Sequence, residues 1–307
     1  MCDVTGNQGF PWPDGKRAAA AITVDFDAES AMLFENPASV DYLNLMSLQW
    51  YGPRVGIFRI LRLLEDRGVR GTFFVPGFTV ERWTDAVRRI HAEGHELGHH
   101  GYLHEPLYDL DERTEEEYLT RGLEAFAKAG LPAPRGFRAP KFRLTFKTPA
   151  LLARHGFRYD SSLMDSDHPY ALAVGPPAPA GTIIELPVYW PLDDWAYYGF
   201  APGFTPVSTI QRPESVLAAW VEELDAIADV GGCFVLTIHP FLSGRPARIR
   251  AVDRLIAHIQ AREDIWLTTL AEIADHTASL ELDPVVNVAP VHPYPDRLET
   301  ARPATFT

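Results

Sequence analysis

Short apolar segments alternate with amphipathic segments along most of this 307-residue chain. Residues 18–27 are apolar until they end in two acids, which is typical of a buried parallel strand. After Pro53, apolar residues recur every three or four positions from Ile57 to Leu64, which predicts an amphipathic helix that ends near Gly68. Repeated strand–helix alternation predicts right-handed βαβ units around a parallel sheet. Seven or eight such units predict an α/β barrel in a single domain.

The same pattern sets the expected elements and the limits of the domain. We expect residues 1–280 to form the barrel and the proline-rich residues 281–307 to form an extended tail. Residues 30–51 are predicted to be irregular, and residues 169–206 to form a proline-rich excursion that holds one strand. The predicted strands are residues 18–27, 69–75, 95–99, 135–138, 156–160, 183–188, 233–238 and 265–267. The predicted helices are residues 53–67, 80–92, 112–128, 148–154, 213–228, 246–262 and 270–275.

Charge and composition exclude several classes of protein. The chain has 28 basic and 41 acidic residues and a formal net charge of −13, which argues against nucleic-acid binding and against electrostatic membrane binding. No run approaches the roughly 20 apolar residues of a membrane span, and the polar start lacks the apolar core of a secretory signal. We therefore expect a cytoplasmic protein, and the tail suggests a homo-oligomer. Only two cysteines, Cys2 and Cys233, are present, so histidines and carboxylates must hold any metal.

Five of the 11 histidines lie within residues 91–104. His100 and His104 are four residues apart and follow a predicted strand, where a loop or helical turn can bring both onto one metal. Intervening glycines argue against one long helix, so the other pairs at the same spacing need not converge. We interpret His91 as a surface residue and His95 and His99 as packing or supporting groups.

Side chains that can carry chemistry stand at the ends of five predicted strands, where the active sites of α/β barrels lie. Asp25 and Asp27 are two residues apart, so both carboxylates point to one side of a strand. That pair alone is as compatible with a cap or an ion pair as with catalysis. Two histidines and one aspartate suit Zn²⁺ with a fourth position open for water, and other divalent ions can use the same ligands. The strand-end residues are Asp25, Asp27, His99, His100, Arg138, Asp160 and His239.

Five short motifs occur in order between residues 23 and 240. They are Thr23-Val24-Asp25-Phe26-Asp27, His100-Gly101-Tyr102-Leu103-His104, Arg138-Ala139-Pro140-Lys141, Asp160-Ser161-Ser162 and Leu236-Thr237-Ile238-His239-Pro240. With these motifs the chain resembles the polysaccharide deacetylase family, carbohydrate esterase family 4, with its NodB-homology domain. It looks most like the subgroup of cytosolic peptidoglycan-deacetylase-like proteins, cyclic imide hydrolases and allantoinase-like proteins.

The resemblance implies a distorted (β/α)7 barrel that hydrolyses a non-peptide amide bond at a divalent metal. It implies that Asp27, His100 and His104 are the metal ligands. Zn²⁺ is the metal that we expect, and Co²⁺, Ni²⁺ or Mn²⁺ are alternatives.

The resemblance also implies roles for four further residues. Asp25 would be the catalytic base and His239 the general acid. Arg138 would pair with Asp25 and can hold its carboxylate bidentately. Asp160 would tune His239.

The chain departs from the family pattern at several positions, and these leave the substrate open. Gly101 replaces Ser or Thr, Glu105 stands where Pro is common, Lys141 replaces Tyr, and the fourth motif lacks its Trp. An N-acetyl sugar is the family's usual substrate. The departures and the polar start favour, as the alternative, a cytosolic hydrolase of small cyclic amides, for which aromatic residues in segments 30–51 and 169–206 can cap a pocket.

A different class of function is a catalytically silent barrel that binds a ligand. The complete set of acids and histidines in the five motifs argues against this reading, because a silent descendant is free to lose any of them.

Overall fold

One curved sheet covered by helices forms the body of the protein in this computed structural model, which describes residues 9–175, 181–200 and 210–287. The strands are β1 (Ala18–Asp25), β2 (Thr72–Val75), β3 (Glu96–His99), β4 (Gly136–Phe137), β5 (Tyr159–Asp160), β6 (Tyr170–Val174), β7 (Gly181–Glu185), β8 (Cys233–Ile238) and β9 (Ile265–Leu267). The helices are α1 (Ser30–Glu35), α2 (Leu43–Tyr51), α3 (Ile57–Arg67), α4 (Gly77–Arg82), α5 (Thr84–Ala92), α6 (Glu112–Lys128), α7 (Thr148–Arg154), α8 (Trp195–Tyr198), α9 (Pro213–Asp229), α10 (Pro246–Gln260) and α11 (Leu270–Ser279).

Strand β1 pairs with three other strands, and all eight of its residues are buried. Residues 23–25 pair with β2, residues 18–20 pair with β9, and β8 runs along the other edge. The strand order is β6-β7-β5-β4-β3-β2-β1-β8, and each described pair is parallel except β6 with β7. The carboxyl ends of β1, β3, β4, β5 and β8 therefore lie at the same end of the sheet.

The helices pack on the sheet through apolar stripes that are visible in the sequence. Helix α3 buries Ile57, Ile60, Leu61 and Leu64 on one face and ends at Gly68, whose φ of +64° suits glycine. Burial of each such side chain contributes roughly 1.5–3 kcal/mol.

The predicted α/β barrel fold in a single domain is confirmed, and the sheet is a half barrel whose edge strands are β6 and β8. Helices α6 and α7 and strands β8 and β9 begin and end where the sequence predicts them. Each of the five motifs begins in, or directly after, a strand that the sequence predicts.

Three predicted segments were wrong. Residues 30–51 contain α1 and α2, which form a small core of their own around Met32, Leu45 and Met46. The helix predicted over residues 80–92 begins at Gly77 and breaks at Trp83, whose ring N–H donates to Glu29 Oε2 at 2.8 Å. Strand β6, inside the predicted excursion, was missed because its short apolar run is flanked by prolines.

The described start of the predicted tail lies against the body of the protein. Val285 forms a parallel bridge with Leu172 of β6. Residues 288–307, the rest of the predicted tail, lie outside what the structure describes. Within the described ranges no helix has the length and apolar character that crossing a membrane requires.

Close packing between α6 and β3 gives a test of the fold. A Cβ at Gly122 would lie 2.1 Å from His99 Nε2, so we expect Gly122→Ala to lower the free energy of unfolding by about 1–3 kcal/mol. The measurement is urea denaturation. In the control, Gly181→Ala, the added methyl would be no nearer than 3.7 Å to Val174. Equal stability of the two variants would show that helix and strand are less closely packed than the structure indicates.

Candidate active site

Four strand ends bring four polar side chains together around Asp27. Asp25 ends β1, while His100, Arg138 and His239 directly follow β3, β4 and β8. His100 Nε2 lies 3.5 Å from Asp27 Oδ1, and His239 Nε2 lies 3.6 Å from Asp27 Oδ2. The predicted convergence of Asp25 and Asp27 is present, because His100 Nε2 is also 3.8 Å from Asp25 Oδ2.

Asp27, His100 and His104 form a set that fits a divalent metal. One ligand atom from each lies within 4.8 Å of the others, and His104 Nε2 is 3.6 Å from Asp27 Oδ2. His100 Nδ1 contacts the carbonyl oxygen of Arg138 at 2.8 Å, which fixes Nδ1 as the donor and leaves the Nε2 lone pair for a metal. Asp27 Oδ1 is buried with no hydrogen-bond partner in the described part of the chain, so the donor set has a free acceptor where a cation would bind.

The backbone is strained next to these side chains. His104 has a φ of +62° and Ala28, which follows Asp27, a φ of +50°. The hydroxyl groups of Ser30 and Thr79 hold the carbonyl of Asp27 at 2.8 and 2.7 Å. Strain of this kind persists only where surrounding contacts impose it, and it is concentrated at functional sites.

Two of the departures from the family pattern fit one another. The buried Glu105 carboxylate accepts hydrogen bonds from Tyr102 N at 2.8 Å and Leu103 N at 2.6 Å, inside the loop that presents both histidines. Gly101, with a φ of +72°, makes room for it, because a Cβ there would lie 2.6 Å from Glu105 Oε1. Burial raises the pKa of Glu105 to about 6. Glu105 thus supports the loop from within.

Arg138 holds Asp25, as the sequence predicts, but through a single donor. Arg138 Nη1 donates to Asp25 Oδ1 at 2.8 Å and to Thr23 Oγ1 at 2.8 Å. Its Nε and Nη2 donate instead to Ser161, so the expected bidentate contact is wrong. The guanidinium is fully buried over the ring of Phe74, 4.2 Å from its centroid.

The two carboxylates have opposite pKa shifts. Burial alone would raise the pKa of Asp25, but the Arg138 charge, with those of His100 and His239, lowers it below the ordinary value. Burial raises the pKa of Asp27, and the attraction of the same histidines only partly offsets it. A bound cation would reverse the shift at Asp27.

His239 is held by Asp194. Nδ1 of His239 is 2.7 Å from Asp194 Oδ1, and the backbone N–H of His239 donates to Asp194 Oδ2 at 3.0 Å. The Ser243 hydroxyl donates to the same oxygen. Burial would lower the pKa of His239, but the charge and hydrogen bond of Asp194 raise it well above its ordinary value, with help from Asp193 and Asp27.

The acid that contacts His239 is Asp194 rather than Asp160, which was predicted to tune that ring. Asp160 is fully buried at the end of β5, where its Oδ1 accepts from Ser162 Oγ at 2.8 Å. Its cross-strand neighbour is Glu185 on β7. The acid that does contact His239 comes from a segment predicted to be an excursion.

Sequence reasoning missed Asp193, Asp194 and Glu185. One signal was available: Asp193 and Asp194 are adjacent acids inside the otherwise apolar run Trp190–Trp195. Asp193 forms a parallel bridge with Thr237 of β8. Its pKa is raised to about 7, chiefly by burial. Glu185 ends β7, but it lay inside the strand predicted over residues 183–188, so no strand-end signal marked it.

The other histidines of the cluster have the supporting positions expected of them. His99 is fully buried, with Nε2 3.1 Å from the Leu119 carbonyl and Nδ1 accepting from Gly101 N. Burial lowers the pKa of His99 to about 3, so the ring is neutral. His95 accepts from Gly71 N, and His91 is exposed.

Aromatic and charged residues of the two insertions, segments 30–51 and 169–206, lie beside the site. Trp195 lies 6.1 Å from His239 between ring centroids and packs on the small core of α1 and α2. Lys141, from the third motif, forms an ion pair with Glu35 of α1. His100 is 1% exposed, and His104 and His239 are 7% exposed. The described parts of both insertions thus lie beside an enclosed site.

Asp27, His100 and His104, with Asp25 held by Arg138 beside them, lie at the strand ends of a half barrel. This is the architecture of a metal-dependent hydrolase. A polysaccharide deacetylase family model matches residues 51–159. The chain is 30% identical over 283 residues to the peptidoglycan deacetylase of Helicobacter pylori. The alignment covers 85% of this chain and 96% of that protein. The chain belongs to the polysaccharide deacetylase family and is a hydrolase of carbon–nitrogen bonds other than peptide bonds.

Solved structures agree with this assignment. A candidate polysaccharide deacetylase from Mycobacterium smegmatis has a TM-score of 0.90 and 48% identity, and covers 92% of this chain and 98% of its own. An allantoinase has a TM-score of 0.74 at 24% identity, covering 87% of this chain and 92% of its own, which shows the fold alone.

The ligand set can be tested without an activity assay. We expect Asp27→Ala and His104→Ala to lower Zn²⁺ affinity by more than the roughly 10–100-fold that an outer-shell change costs. The measurements are titration calorimetry and metal analysis of the purified protein. The control is His91→Ala, which removes an exposed imidazole from the same cluster. Wild-type affinity in His104→Ala would contradict the ligand assignment.

Proposed function

We propose that this protein is a metal-dependent de-N-acylase that releases acetate from N-acetylated sugar polymers. The observation that supports it most directly is the site itself: Asp27, His100 and His104 can hold one metal, with Asp25 and His239 next to them. The peptidoglycan deacetylase of H. pylori, matched over nearly its whole length, is the relative that suggests the substrate.

Three side chains would hold the metal, for which we propose Zn²⁺. Asp27, His100 and His104 supply one oxygen and two nitrogens, a set that Zn²⁺ accepts in catalytic sites. The chemistry supplied by a bound divalent metal is Lewis-acid activation of water and of the amide carbonyl.

Asp25 would act as the base that takes the proton of the attacking water. Arg138 keeps Asp25 ionised and fixes Oδ1, so Oδ2 is left facing His100. A carboxylate held in this way accepts a proton without first having to reorient.

His239 would act as the acid that protonates the leaving amine. Asp194 holds Nδ1, so Nε2 faces the site beside Asp27. The Asp194 carboxylate raises the pKa of His239, which favours the protonated ring that an acid requires. An amine leaves poorly unless it is protonated, which makes an acid here necessary.

A second candidate is ring opening of a small cyclic amide such as a cyclic imide or ureide. The observation that favours it is the enclosure of the site, where Trp195 of the 169–206 segment packs on the core of α1 and α2 and Lys141 pairs with Glu35. A site enclosed in this way admits a small ring more readily than a polymer.

The substrate assay compares the two candidates directly. We expect zinc-loaded protein to release acetate from N-acetylglucosamine oligomers, and Asp25→Asn to reduce kcat by about 10²–10⁴-fold while metal stays bound. The same preparations are assayed for ring opening of cyclic imides and ureides. Ring opening without acetate release would replace the first candidate by the second, and activity on neither would contradict both.

The acid is tested by the pH dependence of kcat. Because Asp194 raises the pKa of His239, Asp194→Asn lowers that pKa, and the alkaline limb of the profile should move to lower pH with a reduced kcat. Asp160→Asn is the comparison and should leave the alkaline limb where it is in the wild type. An unmoved limb in Asp194→Asn would remove His239 from the role of acid.

A further inference from the structure

Asp160 and Glu185 are two fully buried carboxyl groups on neighbouring parallel strands, opposite one another in register. One oxygen of each, Asp160 Oδ2 and Glu185 Oε2, has no donor among the described residues. Two buried carboxylates side by side repel, and an unpaired buried acceptor costs roughly 1–3 kcal/mol. Both difficulties disappear if one carboxyl keeps its proton and donates it to the other.

The remaining oxygens of this pair hold the chain that follows β5. Glu185 Oε1 accepts from Ser162 N at 3.0 Å and from Leu163 N at 2.9 Å. Asp160 Oδ1 accepts from Ser162 Oγ at 2.8 Å. That hydroxyl in turn accepts from Ala139 N at 2.9 Å. The pair thus fixes residues 161–163 and, through Ser162, the backbone next to Arg138.

The held segment is the one that orients Arg138. Arg138 Nε donates to the carbonyl of Ser161 at 3.1 Å, and Nη2 donates to Ser161 Oγ at 3.1 Å. The remaining donor, Nη1, binds Asp25. A displacement of Ser161 would therefore turn the guanidinium away from Asp25.

We propose that Glu185 and Asp160 share one proton and together form a positioning pair that holds Ser161 and Ser162, and through them Arg138 against Asp25. The positioning part rests on the proposed function, because it takes Asp25 as the catalytic base. Neither residue touches the reacting atoms.

The protonation of the pair agrees with its surroundings. Burial raises the pKa of Glu185 well above its ordinary value, and the neighbouring Asp160 raises it further. Burial also raises the pKa of Asp160, to about 6. Both shifts favour one proton retained by the pair.

Two substitutions at Glu185 test the pair through kinetics. Glu185→Gln keeps an acceptor for Ser162 N and Leu163 N and supplies N–H donors for Asp160, so its kcat should stay close to the wild type. Glu185→Leu removes both and should lower kcat by about 10–100-fold, with KM and zinc content unchanged. Equal impairment of the two variants, or wild-type kcat in Glu185→Leu, would overturn the positioning role.

Glu96→Ala is the control for lost stability. Glu96 accepts from Tyr159 OH at 2.6 Å and Thr72 Oγ1 at 2.7 Å, at the amino end of β3, away from the strand ends that form the site. It should destabilise the protein without lowering kcat. If Glu96→Ala lowers kcat as much as Glu185→Leu does, the effect at Glu185 is general destabilisation and the proposal fails.

The shared proton is read separately by infrared difference spectroscopy of wild type against Glu185→Gln at neutral pH. We expect a protonated-carboxyl C=O band that is lost in the variant, and its absence from the difference spectrum would refute the shared proton. This measurement needs no substrate, so a failure of the acetate assay and a failure of this inference are distinguishable.

Discussion

The buried ion pair between Arg138 and Asp25 is the interaction on which the site and much of the fold depend. Arg138 follows β4 and Asp25 ends β1, three strands apart in the sheet order. In a flat sheet those strands would be roughly 14 Å apart, at about 4.8 Å per strand. Their 2.8 Å side-chain contact therefore joins strands that are not neighbours in the sheet and ties together the strand ends that form the site. Removing one partner of such a pair typically costs 3–5 kcal/mol, because the other charge is left buried and unpaired.

The site residues that the sequence predicts and the structure brings together are those that stand at the ends of strands. A parallel strand that ends in an acid or a histidine places that side chain at a known edge, so Asp25, His100, Arg138 and His239 were assigned to one site before any contact was known. Helices with clear apolar stripes, such as α3 and α6, were predicted for the same reason: their periodicity is local. Local sequence patterns therefore indicated the element on which each of these side chains lies and the end of that element at which it stands.

Contacts between distant segments were not predictable in this way, and Asp194 is the clearest example. It lies 45 residues from His239, in a segment with no strand or helix periodicity, and reaches the ring because Asp193 and Asp194 lie beside Thr237 of β8. Asp160 was preferred because it ends a strand, but the direction in which a strand-end side chain points depends on its neighbours across the sheet. Helices α1 and α2 were missed for a related reason, since they pack on one another around Met32, Leu45 and Met46, a contact that local periodicity does not show.

Each buried acid of the site is stabilised by a different partner, and this pattern indicates which one is left for a cation. Asp25 has a guanidinium, Asp194 an imidazole, and Glu105 two backbone N–H groups. In the proposed Asp160–Glu185 pair, each carboxyl group is the other's partner through a shared proton. Asp27 Oδ1 has no hydrogen-bond partner among the described residues. His100 Nε2 lies 3.5 Å from it, which is longer than a typical hydrogen bond. A separation of this size between a carboxylate and an imidazole whose other nitrogen is already fixed leaves room for an ion between them. Asp27 Oδ1 is thus a buried acceptor that a cation bound between Asp27 and His100 would satisfy.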